Sequence, residues 1–152
     1  MASTESTPET PSRRLLLFEV AGTLCACDLD AVREIVPARP ATRLPGAPGW
    51  VRGIMNLRGT LLTVIDLAVR FGAPAGEAPP TVIVLEAAGK SFGLGVAAVR
   101  GVQGVTAEGW EDVDAQRSAG GIVSGLAHVG TARGETAMVC AVEAIARESL
   151  AL

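Results

Sequence analysis

Short apolar runs, each bounded by turn residues, recur along this chain in the pattern typical of β-strands. Residues 15–20 and 23–28 are the first two runs, and Ala21-Gly22 stands between them as a tight reversal. The sequence therefore predicts that the ordered part of the chain begins with a β-hairpin.

Apolar residues at the spacing of a helix follow this hairpin. Leu29, Val32 and Ile35 fall on one face of a helix, and Asp28 before them can accept hydrogen bonds from the first N–H groups. Pro37 disfavours helix in the residue before it. We therefore expect a short helical turn over residues 29–35.

A second predicted hairpin lies near the middle of the chain. Residues 54–57 and 61–65 are apolar runs joined by a turn at Arg58, and Asp66 ends the second run. The Asp66 carboxylate can cap a helical turn over 67–71, because its oxygens replace partners that the strand no longer supplies. An arginine in a tight turn is pushed into solvent, which makes Arg58 a candidate contact to another protein.

The second half of the chain repeats the first at an offset of 67 residues. Residues 18–22 align with 85–89, and later segments correspond more loosely. A segment rich in glycine and proline, residues 72–80, separates the two copies. We therefore expect two copies of one supersecondary plan, over about 13–73 and 80–152.

Composition favours an all-β fold for these copies. Apolar residues make up 49% of the chain, yet it has only two tryptophans, three phenylalanines and no tyrosine, so aliphatic and β-branched residues must fill the core. Four or five short strands in each copy can close a small barrel without exposed edges. We expect two such barrels packed side by side, short helical turns, a C-terminal helix over 143–150, and a disordered tail over residues 1–12.

The charge balance excludes two classes of partner. Thirteen basic and sixteen acidic residues give a net charge of -3, so the chain lacks the basic footprint that nucleic acid or an anionic lipid surface requires. Its apolar runs are too short to insert into a membrane, and Glu19 interrupts the run that most resembles an export signal. We therefore expect a cytoplasmic protein whose partners are other proteins.

The candidate chemistry is sparse. Cys25 and Cys27 alternate along a predicted strand, and one distant cysteine and one histidine do not complete a zinc site, so we expect free, buried thiols. Ser124 and His128 lack the Gly-x-Ser-x-Gly elbow that exposes a nucleophile, and Asp66 has no partner carboxylate. We therefore predict no catalytic residue, metal or cofactor; a small ligand-binding barrel or enzyme built on these three residues is the alternative.

One motif carries a family resemblance. Asn-Leu-Arg-Gly at residues 56–59, then Val-Ile-Asp-Leu at 64–67 and Phe71, closely resembles the signature of the CheW-like chemotaxis adaptors. Val-Arg-Glu-Ile-Val at 32–36 looks like the family segment that follows the first hairpin. The resemblance, which extends over residues 15–150, implies two SH3-like, five-stranded β-barrels and a non-catalytic protein.

The resemblance also implies partners and a binding surface. The family links the cytoplasmic tip of a chemoreceptor to the regulatory domain of a CheA-type histidine kinase, in bacterial receptor arrays on the inner membrane. Two family segments form the groove and rim that bind these partners. The matching positions in this sequence are Val32, Glu34, Ile35, Asn56, Leu57 and Arg58. The opposite charges of Glu34 and Arg58 predict an ion pair that fixes the turn.

The second copy departs from the family pattern. Alanine stands at Ala141, where the family commonly has an aspartate, and the segment 96–99 lacks the acidic residue that is common there. A narrower hypothesis follows from these alanines. On it, the chain is a specialised adaptor that binds the receptor but binds a CheA-type kinase weakly or not at all, in a motility pathway other than flagellar swimming.

Overall fold

The computed structural model describes residues 13–114, 121–129 and 134–149; the tail predicted over 1–12 lies outside these ranges. The all-β class is confirmed. The strands are β1 (Arg13–Val20), β2 (Thr23–Asp28), β3 (Val32–Pro37), β4 (Ala41–Thr42), β5 (Val51–Leu57), β6 (Thr60–Asp66), β7 (Thr81–Ala87), β8 (Lys90–Val96), β9 (Ala98–Val105), β10 (Trp110–Asp112), β11 (Val123–Val129) and β12 (Glu135–Cys140). Two α-helices, Leu67–Arg70 and Val142–Ser149, and two 3-10 turns, Leu29–Ala31 and Ala107–Gly109, complete the described elements.

The two copies share one order of elements. Each copy begins with three strands, continues with a short strand and a hairpin, and ends in a helix. The first copy comprises β1 to β6 and the helix Leu67–Arg70, and the second comprises β7 to β12 and the helix Val142–Ser149.

The two sheets, however, each take strands from both copies. We call β10-β11-β12-β2-β1-β9 the terminal sheet and β3-β7-β8-β6-β5-β4 the central sheet, each in its order of pairing. The expectation that residues 13–73 and 80–152 each build a barrel of their own is therefore wrong. Strand β3 leaves the first copy to pair with β7, and β9 leaves the second copy to pair with β1. Within the described ranges each sheet has six strands rather than five, because β4 and β10 are short additional edge strands.

Three apolar clusters of described residues form the core. The largest, the shared core, joins both sheets and contains the fully buried Phe18 and Phe92, together with Ile145 of the C-terminal helix. A smaller cluster belongs to each sheet, with Val139 in the terminal sheet and Met55 in the central sheet. Because the largest cluster takes side chains from both sheets, each sheet depends on the other for burial.

The helical turn predicted over 29–35 is wrong beyond its first residues. A 3-10 turn covers Leu29–Ala31, and the chain then enters β3. Asp28 makes no cap to this turn; its carboxylate accepts two hydrogen bonds from Arg13 Nη2, at 2.8 and 2.9 Å. The β-branched residues that follow satisfy their backbone groups by pairing with β7, which local sequence cannot reveal.

The cysteines are free and buried, as predicted. Cys25 and Cys27 lie in the shared core, while Ala26 between them lies in the cluster of the terminal sheet. Burial, assisted by the charge of Asp28, raises the pKa of Cys27 to about 12. This thiol therefore stays protonated at neutral pH and is a poor nucleophile.

Candidate protein-interaction surface

Arg58 lies at the tip of the β5–β6 hairpin in a left-handed backbone conformation. Its φ is 53° and that of Gly59 is 89°, the pattern of a two-residue type I′ turn. Asn56 Oδ1 accepts a hydrogen bond from the Gly59 N–H, at 2.8 Å. The Arg58 side chain, 62% exposed, is therefore presented to solvent from a tight turn.

A bulge in β3 precedes Glu34 on the neighbouring segment. The pairing of β3 with β7 shifts between Val32 and Glu34, so Arg33 is the extra residue. Arg33 Nε donates to Glu86 Oε1 at 2.8 Å, and Arg33 Nη1 donates to Asp30 O at 3.0 Å. A bulge redirects the side chains that follow it, and Glu34 is the first of them.

Arg58 and Glu34 form the ion pair that the sequence predicts. Arg58 Nη2 donates to Glu34 Oε2, and the two side chains are 62% and 36% exposed. Solvent screens such a pair, so it contributes only about 0 to 1 kcal/mol to stability. Its main effect is geometric, because it joins the tip of a hairpin to an edge strand of the same sheet.

Two exposed apolar side chains accompany this pair. Ile35 follows Glu34 on β3 and is 43% exposed, and Leu61 lies opposite Asn56 in the hairpin and is 66% exposed. Sequence analysis missed Leu61, although its position next to the buried Leu62 in an alternating strand indicates an outward side chain. We call the following residues the hairpin surface: Glu34, Ile35, Asn56, Arg58 and Leu61.

Two of the predicted contact residues are not freely available at this surface. Leu57 is 4% exposed and packs with Met55 in the cluster of the central sheet. Side chains alternate along β5, so Leu57 faces inward where Asn56 faces outward. Val32 is half-buried and packs against the shared core. Leu57 therefore belongs to the core of the central sheet in this structure.

An exposed valine occupies the matching place in the second copy. Val102 on β9 stands 67 residues after Ile35 and is 49% exposed. Strand β9 also bulges, at Arg100, whose guanidinium pairs with Glu19. The sequence analysis missed Val102, although the offset of the repeat points to it.

Asp66 has the capping role that the sequence predicts. Its Oδ1 accepts a hydrogen bond from the Val69 N–H at 3.3 Å, at the start of the helix Leu67–Arg70. Its Oδ2 lies 3.8 Å from Arg52 Nη1, and the residue is 3% exposed. Through these contacts the buried Asp66 carboxylate fixes the backbone where the chain leaves the β5–β6 hairpin.

Ser124 and His128 have separate partners rather than each other. Ser124 Oγ donates to the Val139 carbonyl at 3.4 Å, and His128 Nδ1 lies 3.3 Å from Thr136 Oγ1. Among the residues that the structure describes, no group of three or more His, Cys, Asp or Glu is arranged to hold a metal ion. Within the same ranges no helix has the length and apolar character needed to cross a membrane.

Comparison with known proteins decides the family. The CheW-like domain model matches residues 14–150. The chain belongs to the CheW-like domain family. The chemotaxis protein CheW of Rhizobium meliloti (strain 1021) is 41% identical over 91 residues, 57% of each chain. The probable chemotaxis protein CheW of Rhizobium etli is 37% identical over 98 residues, 63% of each chain. The matched stretches thus span 57 to 63% of the length of these two CheW relatives.

A solved structure shares the fold. The crystal structure of the scaffolding protein TtCheW from Thermoanaerobacter tengcongensis matches with a TM-score of 0.72 and 28% identity, over 86% of this chain and 89% of that chain. The architecture is therefore the pair of SH3-like β domains that the CheW resemblance implies. The sequence alone does not predict the strand exchange described above.

Proposed function

We propose that this CheW-like chain is a non-catalytic adaptor that couples the cytoplasmic tip of a chemoreceptor to the regulatory domain of a CheA-type histidine kinase. The observation that carries the proposal is the Glu34–Arg58 pair, exposed where the family resemblance expects a binding surface. Family membership supports the pathway, and relatives named as chemotaxis and scaffolding proteins support the role. On this proposal the protein works in the cytoplasm, at receptor arrays on the inner membrane.

The hairpin surface has the chemistry of a protein contact. Arg58 offers a planar fork of hydrogen-bond donors, and arginine is enriched where protein surfaces meet. Ile35 and Leu61 add exposed apolar area close in the chain to the charged pair, since Ile35 follows Glu34 and Leu61 lies three residues after Arg58. Binding there would remove this apolar area from water without disturbing the core.

An adaptor needs more than one contact area, and the repeat supplies two similar edges. Strands β3 and β9 are edge strands of different sheets. Each exposes one apolar residue at a matching position, Ile35 in the central sheet and Val102 in the terminal sheet. Two such edges suit a protein that holds two partners at once.

A second candidate is an adaptor that keeps the receptor and loses the kinase. The alanines at Ala97, Ala98 and Ala141 favour it, because they remove charge from the second copy. Ala141 precedes the C-terminal helix and makes backbone hydrogen bonds: its N–H donates to Ile122 O at 2.7 Å, and its carbonyl oxygen accepts from the Ile145 N–H at 3.0 Å. Losing charged anchors worth a few kcal/mol would move a micromolar complex, about -8 kcal/mol, towards millimolar.

Calorimetric titration of the full chain with a receptor cytoplasmic fragment, and separately with a kinase regulatory domain, tests both candidates. Dissociation constants near micromolar for both fragments are expected for the two-partner adaptor. Binding of the receptor fragment alone would select the narrower candidate. Binding of neither fragment would overturn the proposed function.

A further inference from the structure

We propose that Asn56 is a positioning residue, which holds the hairpin turn so that Arg58 points at Glu34, rather than a residue that contacts a partner. The inference rests on the proposed function in one respect, namely that Arg58 binds a partner. Its structural basis is the hydrogen bond from the Gly59 N–H to Asn56 Oδ1, at 2.8 Å.

The Asn56 hydrogen bond acts next to a residue, Arg58, that has an unfavourable backbone conformation. A side chain other than glycine at φ 53° brings Cβ close to the following carbonyl oxygen. The Asn56 amide oxygen accepts from the backbone N–H directly after Arg58 and so closes a ring around that residue. A fixed φ at Arg58 also fixes the direction in which its Cα–Cβ bond leaves the turn.

Two other hairpins in the same molecule show that the asparagine is not needed to form the turn. Ala21-Gly22 and Ala88-Gly89 have the same pair of positive φ angles, 51° and 78° in the first and 54° and 74° in the second. The residue two positions before each turn is a glutamate, not an asparagine. Those glutamates pair with arginines across the sheet, Glu19 with Arg100 and Glu86 with Arg33.

The β5–β6 hairpin differs from these two in what its turn carries. An alanine in the left-handed position carries only a methyl group, which reaches no partner on another strand, whereas the Arg58 side chain must reach Glu34. Among these three described turns, the asparagine stands before the one that carries an arginine, and its carboxamide oxygen accepts a hydrogen bond from the turn itself. Asn56 therefore sets the direction of the Arg58 side chain and is not required for the hairpin to fold.

Asn56→Ala and Asn56→Asp, each made in the wild-type and in the Arg58→Ala background, test this role. Aspartate keeps an acceptor oxygen near the Gly59 N–H, and Lys90→Ala is an exposed control at the β7–β8 hairpin. For Asn56→Ala we expect Gly59 amide exchange to accelerate about tenfold, nuclear Overhauser contacts between Arg58 and Glu34 to disappear, and partner affinity to fall about fivefold. Asn56→Asp should restore the protection of Gly59 and most of the affinity.

The double variant separates positioning from contact. If Asn56 acts through Arg58, Asn56→Ala should cause no further loss of affinity in the Arg58→Ala background. An equal loss in both backgrounds, or an unchanged affinity in the wild-type background, would overturn the inference. If the wild-type protein bound neither fragment, the proposed function would fail, and the Arg58–Glu34 contacts in Asn56→Ala would still decide the role: lost contacts support positioning, and retained contacts refute it.

Discussion

Arg33 Nε lies 2.8 Å from Glu86 Oε1, and this ion pair joins the first copy of the repeat to the second. The repeat contains the matching pair, Arg100 with Glu19. In this second pair the arginine comes from the second copy and the glutamate from the first. Each arginine is the extra residue in a bulged edge strand, and each glutamate belongs to the strand of the other copy with which that edge strand pairs. Each copy therefore holds the edge strand of the other.

This reciprocal pairing predicts that half-chains do not fold. Residues 13–73 lack β7 and β8, which stand between β3 and β6 in the central sheet. We expect this fragment alone to give a poorly dispersed amide spectrum, because half-chains of this length also bury too little apolar area. Mixing it with residues 80–152 should restore a dispersed spectrum.

A fragment of similar length is the control for this experiment. Residues 32–96 contain all six strands of the central sheet, so they should show more sheet by circular dichroism than residues 13–73. A cooperative melt from residues 13–73 alone would show that the shared core is not required.

Arg58→Ala should separate binding from stability. The exposed Glu34–Arg58 pair contributes about 0 to 1 kcal/mol, so the melting temperature should change by less than about 4 °C. Affinity for the receptor fragment or the kinase domain should fall about tenfold or more, because the guanidinium is presented to partners. Calorimetry and a thermal melt on the same preparation measure both quantities.

Arg147→Ala is the matched control, since Arg147 also pairs with an exposed carboxylate, that of Glu143 at 3.8 Å. It should leave affinity unchanged. If the two substitutions changed partner affinity equally, or if Arg58→Ala kept wild-type affinity, Arg58 would be only a solvated charge in a turn.

Gly53→Ala should destabilise the central sheet strongly. A Cβ at Gly53 would lie 2.2 Å from Thr42 O, and the φ of 139° disfavours any side chain. We expect a loss of about 3 kcal/mol or more in the free energy of unfolding, measured with urea, because backbone atoms must move.

Two other glycines separate the causes of this loss. Gly72 has φ 105° with open space around its Cβ position, so Gly72→Ala reports backbone strain alone, about 1 to 2 kcal/mol. Gly49 has neither a positive φ nor a close neighbour, so Gly49→Ala should be neutral or slightly stabilising. A Gly53→Ala protein no less stable than Gly72→Ala would argue against the close approach of β4.

The raised pKa of Cys27 predicts a loss of stability in alkali. Burial raises its pKa from 9.0 to about 12. Above pH 9 the unfolded chain therefore releases a proton that the folded chain retains, so stability falls as pH rises from about 9 towards 12. Cys27→Ala removes this dependence. The free energy of unfolding that the substitution costs should therefore be smaller at pH 10.5 than at pH 8, by about 1 to 2 kcal/mol.

Urea titrations at the two pH values measure this difference. Cys25 and Cys140 are present in both proteins, so their own ionisation largely cancels. A cost of Cys27→Ala that does not change between the two pH values would show that the folded thiol ionises as readily as the unfolded one.

Sequence reasoning succeeds here wherever the cause is local. The Asp66 cap and the turn at Arg58 depend on residues within three positions of each other, and the motif displays them directly. The Glu34–Arg58 pair is a longer connection, and the family resemblance together with opposite charges identifies it. Leu57, which the resemblance places at the contact surface, is buried, because the resemblance names a segment whereas strand alternation decides which of its side chains face outward.

Sequence reasoning fails where partners are distant. Residues 32–36 have helical spacing on their own, and only pairing with β7 makes them a strand. The repeat shows that two similar units exist but not which strands they exchange, because the exchanged strands pair with partners far away in the sequence. Ile35 and Val102 become a matched pair of exposed residues only once that exchange is known.

The exchange of strands also sets an order for synthesis on the ribosome. The central sheet uses one continuous segment, from β3 to β8, so its hydrogen bonds can all form once residue 96 has emerged. The terminal sheet joins the two ends of the chain, and the hairpin β1–β2 must wait for β9 and β12. During that interval both outer edges of the hairpin are open to pairing with other chains. The hairpin surface thus belongs to the part of the molecule that can form first, and the last strands to emerge cover the edges of the earliest hairpin.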